Sequence, residues 1–139
     1  GTNLGFSRGK PEDLYLPVDS ADDAPNVADQ EKDPNSLLNK VRSMVRLKKS
    51  EAALAAYAEF VPVYAQPNEY PFVFARAVAD EVILAIFNPA ARKASADFKL
   101  NLKNKKFEKL MGDDIEIRAK GEKYQLEMDG ISYGIYKMK

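Results

Sequence analysis

Phe72-Val73-Phe74-Ala75-Arg76-Ala77-Val78 and Val82-Ile83-Leu84-Ala85-Ile86-Phe87 flank the short turn Ala79-Asp80-Glu81. Both runs are rich in β-branched and aromatic residues, and the turn between them is tight, so the pair reads as a β-hairpin. The second run is nearly all apolar. Such a run fits a central strand covered on both faces. Asn88-Pro89 ends it, because proline cannot donate to a ladder.

The pattern continues on either side. Before the hairpin, Phe60-Val61-Pro62-Val63-Tyr64 reads as a strand, with Pro62 placing it at an edge or a bulge. After it, Ser95-Ala96-Asp97-Phe98-Lys99-Leu100-Asn101-Leu102 alternates, with Ala96, Phe98, Leu100 and Leu102 inward. Phe107 to Met111 reads as a short strand before the turn Gly112-Asp113-Asp114. Ile115 to Arg118, Tyr124 to Met128 and Ile131 to Tyr136 follow, joined by Lys120-Gly121-Glu122 and Asp129-Gly130. Strands recurring about every ten residues with turn signals predict an antiparallel β-sandwich of about seven or eight strands.

Upstream of the strands the period changes to 3.6. Leu37, Leu38, Val41, Met44 and Val45 share one stripe over residues 34–49. Asp33 reads as the cap and Pro34 as the first helical residue. Arg42, Arg46, Lys48 and Lys49 gather toward the C-terminal end, where cations complement the helix dipole. Ser50 reads as the cap of one further turn. Residues 1–33 show no regular element; they are acidic and carry Pro11, Pro17 and Pro25. A segment of that length without regular structure suggests a long ordered loop lying on something. The chain opens at Gly1 in mid-loop character, which reads as a boundary inside a longer protein.

Composition narrows the function classes. The 139 residues suffice for one domain with a sizeable core. Lys plus Arg equals Asp plus Glu at 21 each, a balance that argues against nucleic acid or an anionic membrane as main partner. There is no cysteine and no histidine, which removes thiol chemistry and any histidine-based triad or metal site. No apolar run reaches the roughly 18 residues of a membrane span, and no stretch reads as a signal peptide.

The order of loop, helix and small β domain resembles the C-terminal part of an α-amylase superfamily enzyme, glycoside hydrolase family 13. Asn3-Leu4-Gly5-Phe6-Ser7, Leu14-Tyr15-Leu16-Pro17-Val18, Asn26-Val27 and Gln30 resemble the segment after the eighth barrel strand. Asp33-Pro34-Asn35-Ser36-Leu37-Leu38, then Val41-Arg42 and Leu47-Lys48-Lys49, resemble the eighth barrel helix, whose usual ending is Leu-Arg-Lys. Val82 to Phe87 with Asn88-Pro89-Ala90 resembles a strand and Asn-Pro-Ser turn of the family's last domain, and Gly130 to Tyr136 its closing strand. The likeness is strongest to the α-glucosidase, oligosaccharide hydrolase and trehalose synthase branch. It implies residues 1–55 as the end of a catalytic barrel and 56–139 as the C-terminal sandwich.

In that family a barrel-borne Asp nucleophile, a Glu acid/base and a second Asp do the chemistry, nucleophile and acid about 5–5.5 Å apart. The resemblance places all three upstream of this chain, so no catalytic or substrate-binding residue carries over, nor any cofactor. The implied function is that of a non-catalytic C-terminal region of an enzyme acting on α-glucosidic oligosaccharides. Its partner is the catalytic barrel. Without the barrel, the stripe Leu37, Leu38, Val41, Met44 and Val45 would stay exposed or drive self-association; its full burial is worth on the order of 8–15 kcal/mol, an upper estimate.

The residues offer other sites. Asp80-Glu81 and Asp113-Asp114 are conceivable acid/base pairs, but both occupy turns where Asp is favoured for backbone reasons. Asp19, Asp22 and Asp23 are conceivable calcium ligands without the loop pattern such sites use. Tyr57, Phe60, Tyr64, Tyr70, Phe72 and Phe74 are a conceivable sugar platform; their alternating spacing assigns them instead to core packing. A carbohydrate-binding module and a plain interaction domain are therefore the competing function classes.

Overall fold

The structure is a computed structural model, and it describes residues 2–5, 7–100 and 106–139. The chain divides into two compact units, residues 1–46 and 47–139, with the boundary inside the longer helix.

The first unit holds more structure than its sequence suggests. A tight turn at Thr2–Gly5 puts Asn3 and Leu4 in the left-handed region, at φ 48° and 56°. The Asn3 side chain secures the following bend by donating to the Gly9 carbonyl at 2.8 Å. Residues 27–32, expected to be irregular, form helix α1 (Val27–Lys32). Asn26 caps it, its side-chain oxygen accepting from the Asp29 N–H at 2.9 Å. Six residues are too few to show a helical period, which is why the pattern misses it.

Helix α2 (Leu37–Ser50) starts three residues later than the Asp33–Pro34 reading places it. Asp33-Pro34-Asn35-Ser36 is instead a β-turn, closed by the Ser36 N–H on the Asp33 carbonyl at 3.1 Å, with Pro34 at its second position. The Asp33 carboxylate accepts from the Asn35 N–H at 2.8 Å and so belongs to the turn. Ser36 is the cap: its hydroxyl oxygen accepts from the Asn39 N–H at 3.3 Å. Gln30 ties the two helices together. Its carbonyl accepts from Ser36 Oγ at 2.6 Å and from Asn39 Nδ2 at 2.8 Å, and its side-chain oxygen accepts from the Leu38 N–H at 3.0 Å. Two rival cap sequences lie three residues apart, and this Gln30 network selects the second. Ser50 is the last residue of α2 rather than a cap; the next turn, Ala52–Leu54, has no side-chain cap.

The second unit is the expected antiparallel sandwich. Its strands are β1 (Glu59–Tyr64), β2 (Phe72–Val78), β3 (Glu81–Asn88), β4 (Ala94–Phe98), β5 (Phe107–Gly112), β6 (Glu116–Lys120), β7 (Lys123–Met128) and β8 (Ser132–Met138). One sheet has the order β1-β2-β3-β8-β5 and the other β4-β7-β6. Every pairing is antiparallel. β3 is central, as its continuous apolar run requires, and β8 lies beside it inside the sheet. Pro62 sits on edge strand β1 next to a register shift, where a missing N–H costs little.

Between the sheets lies the core. Val73, Ala75, Leu84 and Ile86 come from the larger sheet, and Ala96, Phe98, Leu126 and Met128 from the smaller. Full burial of Leu84 and Ile86 contributes roughly 1.5–3 kcal/mol each. The inward alternation of β4 holds for Ala96 and Phe98, and Leu100 packs against the core; Asn101 and Leu102 lie outside the described residues. A second apolar cluster occupies the other face of the larger sheet. There Ala53, Leu54 and Leu47 cover Ile83 and Ile135.

Candidate functional site

The spacing of six aromatics assigns them to the core, and the structure sorts them differently. Only Tyr64 packs, half-buried, against the inter-sheet core. Phe60, Phe72 and Phe74 point to the opposite face of the larger sheet. Cross-strand register continues them into Phe87 and Tyr133. Ring centroids are 5.0 Å apart for Phe60–Phe74, 6.0 Å for Phe74–Phe87 and 6.3 Å for Phe87–Tyr133. This row crosses four strands and is only partly covered. Tyr57 and Tyr70 are exposed. Alternation says which residues share a face; it does not say which face meets the other sheet.

The acidic pairs serve the fold. Asp80 is exposed in the β2–β3 turn beside Ala79, whose φ is 48°. Glu81 accepts from the Ala53 N–H at 2.7 Å and pairs with Lys137 at 2.9 Å. Those contacts, the Ala53 N–H foremost, hold its carboxyl below the ordinary value. Asp113 fastens the β5–β6 turn to β8: its N–H donates to the Tyr133 carbonyl at 2.8 Å, and its carboxylate accepts from the Tyr133 N–H at 3.0 Å. Asp114 is exposed and pairs with Lys109.

Asp19, Asp22 and Asp23, set aside as calcium ligands for want of the loop pattern, do not share one site. Asp19 caps its own turn by accepting from the Ala21 N–H at 3.0 Å, while Asp22 and Asp23 line a separate shallow cavity. Among the described residues no three Asp or Glu converge closely enough to hold a metal ion.

Two concave surfaces lined by described residues lie on the second unit. The larger, about 740 Å³, is a polar cleft among Lys93, Asp113, Glu116, Arg118, Gln125 and Glu127. Its charges are mostly paired with each other, as Arg118 with Glu116 and Lys93 with Glu127. The smaller, about 290 Å³, is lined by Tyr64, Glu69, Tyr70, Asn88, Arg92 and Lys93 among others. Asn88 is fully buried and shapes the wall. Its Nδ2 donates to the carbonyls of Arg92 and Asp129, each at 2.8 Å, and its Oδ1 accepts from the Ala90 N–H at 3.2 Å. The Asn88-Pro89-Ala90 turn singled out in the sequence is thus the structural pin of this groove. Glu69 and Arg92 had no signal in the sequence, because their nearness depends on how the β1–β2 and β3–β4 connections fold back.

No protein-family model matches the sequence, and no curated protein matches it. Solved structures do. The trehalulose synthase of Pseudomonas mesoacidophila MX-45 matches 100% of this chain with 24% of its own, at 24% identity and a TM-score of 0.71. An isomaltulose synthase from Klebsiella sp. LX3 matches 100% with 24% of its own, at 21% identity and a TM-score of 0.69. The trehalose-6-phosphate hydrolase of Bacillus licheniformis matches 98% with 24% of its own, at 18% identity and a TM-score of 0.68. The chain spans about a quarter of the length of these proteins. At such identities the likeness is one of fold, and it covers loop, helix and sandwich together. The three-dimensional match to about a quarter of each of these enzymes is one of fold, and it agrees with the resemblance read from the sequence pieces.

Proposed function

We propose that this chain is the non-catalytic C-terminal region of an α-amylase-like glycoside hydrolase acting on α-glucosidic oligosaccharides. Residues 1–55 form the end of its catalytic barrel and residues 56–139 its closing β domain, which stabilises the barrel. The observation that carries this reading is the stripe of α2. Leu37 is 73% exposed, Val41 and Met44 are each 47% exposed and Val45 is 45% exposed, all on one face of one helix. A helix of an isolated domain buries such a stripe. A helix that belongs to a larger barrel leaves it open for the neighbouring strands and helices. The acidic pairs and the carboxylates of the first 33 residues all have turn-forming or charge-pairing roles or face solvent, which supports a chain that contributes no catalytic group of its own.

The coding sequence upstream of residue 1 tests the reading. Barrel strands bearing an Asp nucleophile, a Glu acid and a second Asp there are the expected result; an unrelated upstream domain overturns it. A second consequence concerns the 139 residues alone. With no barrel to cover it, the stripe drives concentration-dependent association of the isolated chain.

A further inference from the structure

The two outer faces of the sandwich are opposites. On the smaller sheet, register sets Asp97, Gln125 and Arg118 in one row and Ser95, Glu127 and Glu116 in the next, a face suited to water. On the larger sheet, register sets Phe72, Phe87 and Tyr133 in one row and Pro62, Phe74, Ala85 and Ile135 in the next. An antiparallel sheet that borders solvent turns polar residues outward; this one turns rings outward.

One end of that aromatic face is already occupied. Leu47, in the last turns of α2, covers Ile83 and Ile135 together with Ala53 and Leu54. Polar contacts hold the same stretch down. Arg76 donates to the Ala55 carbonyl at 2.7 Å, and the Ala53 N–H donates to Glu81 at 2.7 Å. Toward the other end the face opens. Phe60 is 48% exposed, and Phe72, Phe74, Phe87 and Tyr133 are half-buried.

The rings there are packed on each other. Phe74, Phe87 and Tyr133 stack in sequence with 16° and 11° between their planes, and Phe60 and Phe72 tilt against Phe74 at 5.0 Å and 5.3 Å. What they offer a partner is an apolar ridge with a single hydroxyl, that of Tyr133. A sugar needs donors and acceptors for its hydroxyls when water leaves, and this ridge lacks them. A packed, apolar protein surface needs none.

We propose that the ridge of Phe60, Phe72, Phe74, Phe87 and Tyr133 is the seat of the parent enzyme's barrel, whose apolar outer wall covers it. The inference rests on the reading of α2 as the last helix of that barrel. A helix whose end is fastened to this face brings its barrel to this face, and the charged face of the smaller sheet stays in water. The matched enzymes are covered over only 24% of their length, so the larger part of each lies outside the matched region, ample to cover such a ridge.

Hydroxyl-radical footprinting of the 139-residue protein and of the full-length protein from the parent gene tests it. The isolated chain carries Val41→Asp and Val45→Asp, so that association through the stripe of α2 does not enter. Phe60 and Tyr133 are expected to be modified severalfold less in the full-length protein. Lys120 and Lys123, on the smaller sheet, are expected to react equally with an acylating reagent in both. Phe60→Asp, on an edge strand, is expected to lower the melting temperature of the full-length protein more than that of the isolated chain. Equal labelling of the two rings in a protein that does carry upstream barrel strands overturns this proposal alone. An upstream region without barrel strands overturns the barrel-end reading and this one with it. Ring protection in the isolated chain that vanishes on dilution names a second copy as the occupant and also overturns it.

Discussion

The ammonium of Lys137 lies 2.6 Å from Glu51 Oε2, although 86 residues separate them in the chain. The same ammonium reaches Glu81 Oε2 at 2.9 Å, and all three side chains are about three-quarters or more shielded from solvent. Arg76 adds a donor to the Ala55 carbonyl at 2.7 Å. Together they fix the segment that leaves α2 onto the outer face of the larger sheet. Removing the shared cation leaves two carboxylates facing each other in a shielded site, so Lys137→Met is expected to lower the melting temperature by several degrees. Glu51→Gln is expected to lower it less, because one ion pair survives. Thermal denaturation followed by circular dichroism makes the comparison.

The same cluster sets a pH signature. The Ala53 N–H first and Lys137 second hold the Glu81 carboxyl below its ordinary 4.5. A carboxyl with a depressed folded value contributes stability above its unfolded value and loses it as pH falls through the folded one. Lys137 is raised above its ordinary 10.5 by hydrogen bonds to Glu51 and then Glu81, so its contribution is complete below 10.5 and fades as pH rises through its folded value. The melting-temperature gap between the natural protein and Glu81→Gln is therefore expected to be constant from pH 6 to 9 and to close in acid, below about pH 4. A gap independent of pH down to 2 contradicts the assignment.

Asn88 spends every polar atom of its side chain inside the protein. Asn88→Ala leaves the Arg92 and Asp129 carbonyls and the Ala90 N–H without their protein partner in a part-buried setting. A loss of about 2–3 kcal/mol in urea denaturation is expected. Asn88→Asp does not rescue it, since a carboxylate cannot donate to the two carbonyls.

Gly134 faces the ring of Tyr136 across the core side of β8. A methyl there would meet Tyr136 Cε2 at 2.5 Å and Ile115 Cδ1 at 2.8 Å. The ring cannot swing aside, because its hydroxyl accepts from the Ile115 N–H at 2.7 Å and donates to the Asp113 carbonyl at 2.8 Å. Gly134→Ala is expected to cost about 1–3 kcal/mol, read from the shift of the urea midpoint.

Ser36 is the cap of α2, and its buried hydroxyl also donates to Gln30. Ser36→Ala should weaken the first turn by about 1 kcal/mol, while Asp33→Ala should affect α2 less. Amide hydrogen exchange at residues 37–40 distinguishes the two, with the larger acceleration in the serine variant.

The exposed stripe gives the remaining prediction. Val41→Asp with Val45→Asp is expected to abolish concentration dependence in sedimentation velocity of the isolated chain. A strict monomer before substitution contradicts the self-association part of the proposal.

Much of the fold was legible because each strand carries its own period. Val82 to Phe87 announces a central strand by having no polar face, and Ala96 and Phe98 announce their inward direction by alternation. What stayed hidden depends on residues far apart. Nothing in the sequence says that β8 pairs with both β3 and β5, that Lys137 meets Glu51, or that Phe74 belongs to the outer face rather than the core. The start of α2 was misread for the opposite reason: Asp33 and Ser36 are both good local caps, and only the contacts of Gln30 choose between them. The groove was half legible. Its tyrosines stood out, while Glu69 and Arg92 looked like ordinary surface charges.

β8 follows the other described strands in sequence yet is an inner strand in space. During synthesis on the ribosome, β1, β2 and β3 can pair as they emerge, but the inner edge of β3 stays unsatisfied until residues 132–138 have left the exit tunnel. β5 has no partner in its sheet before that moment either. The two halves of the larger sheet are thus joined only by β8: a chain truncated before residue 132 is expected to leave the β3 edge and all of β5 unpaired and open to other chains.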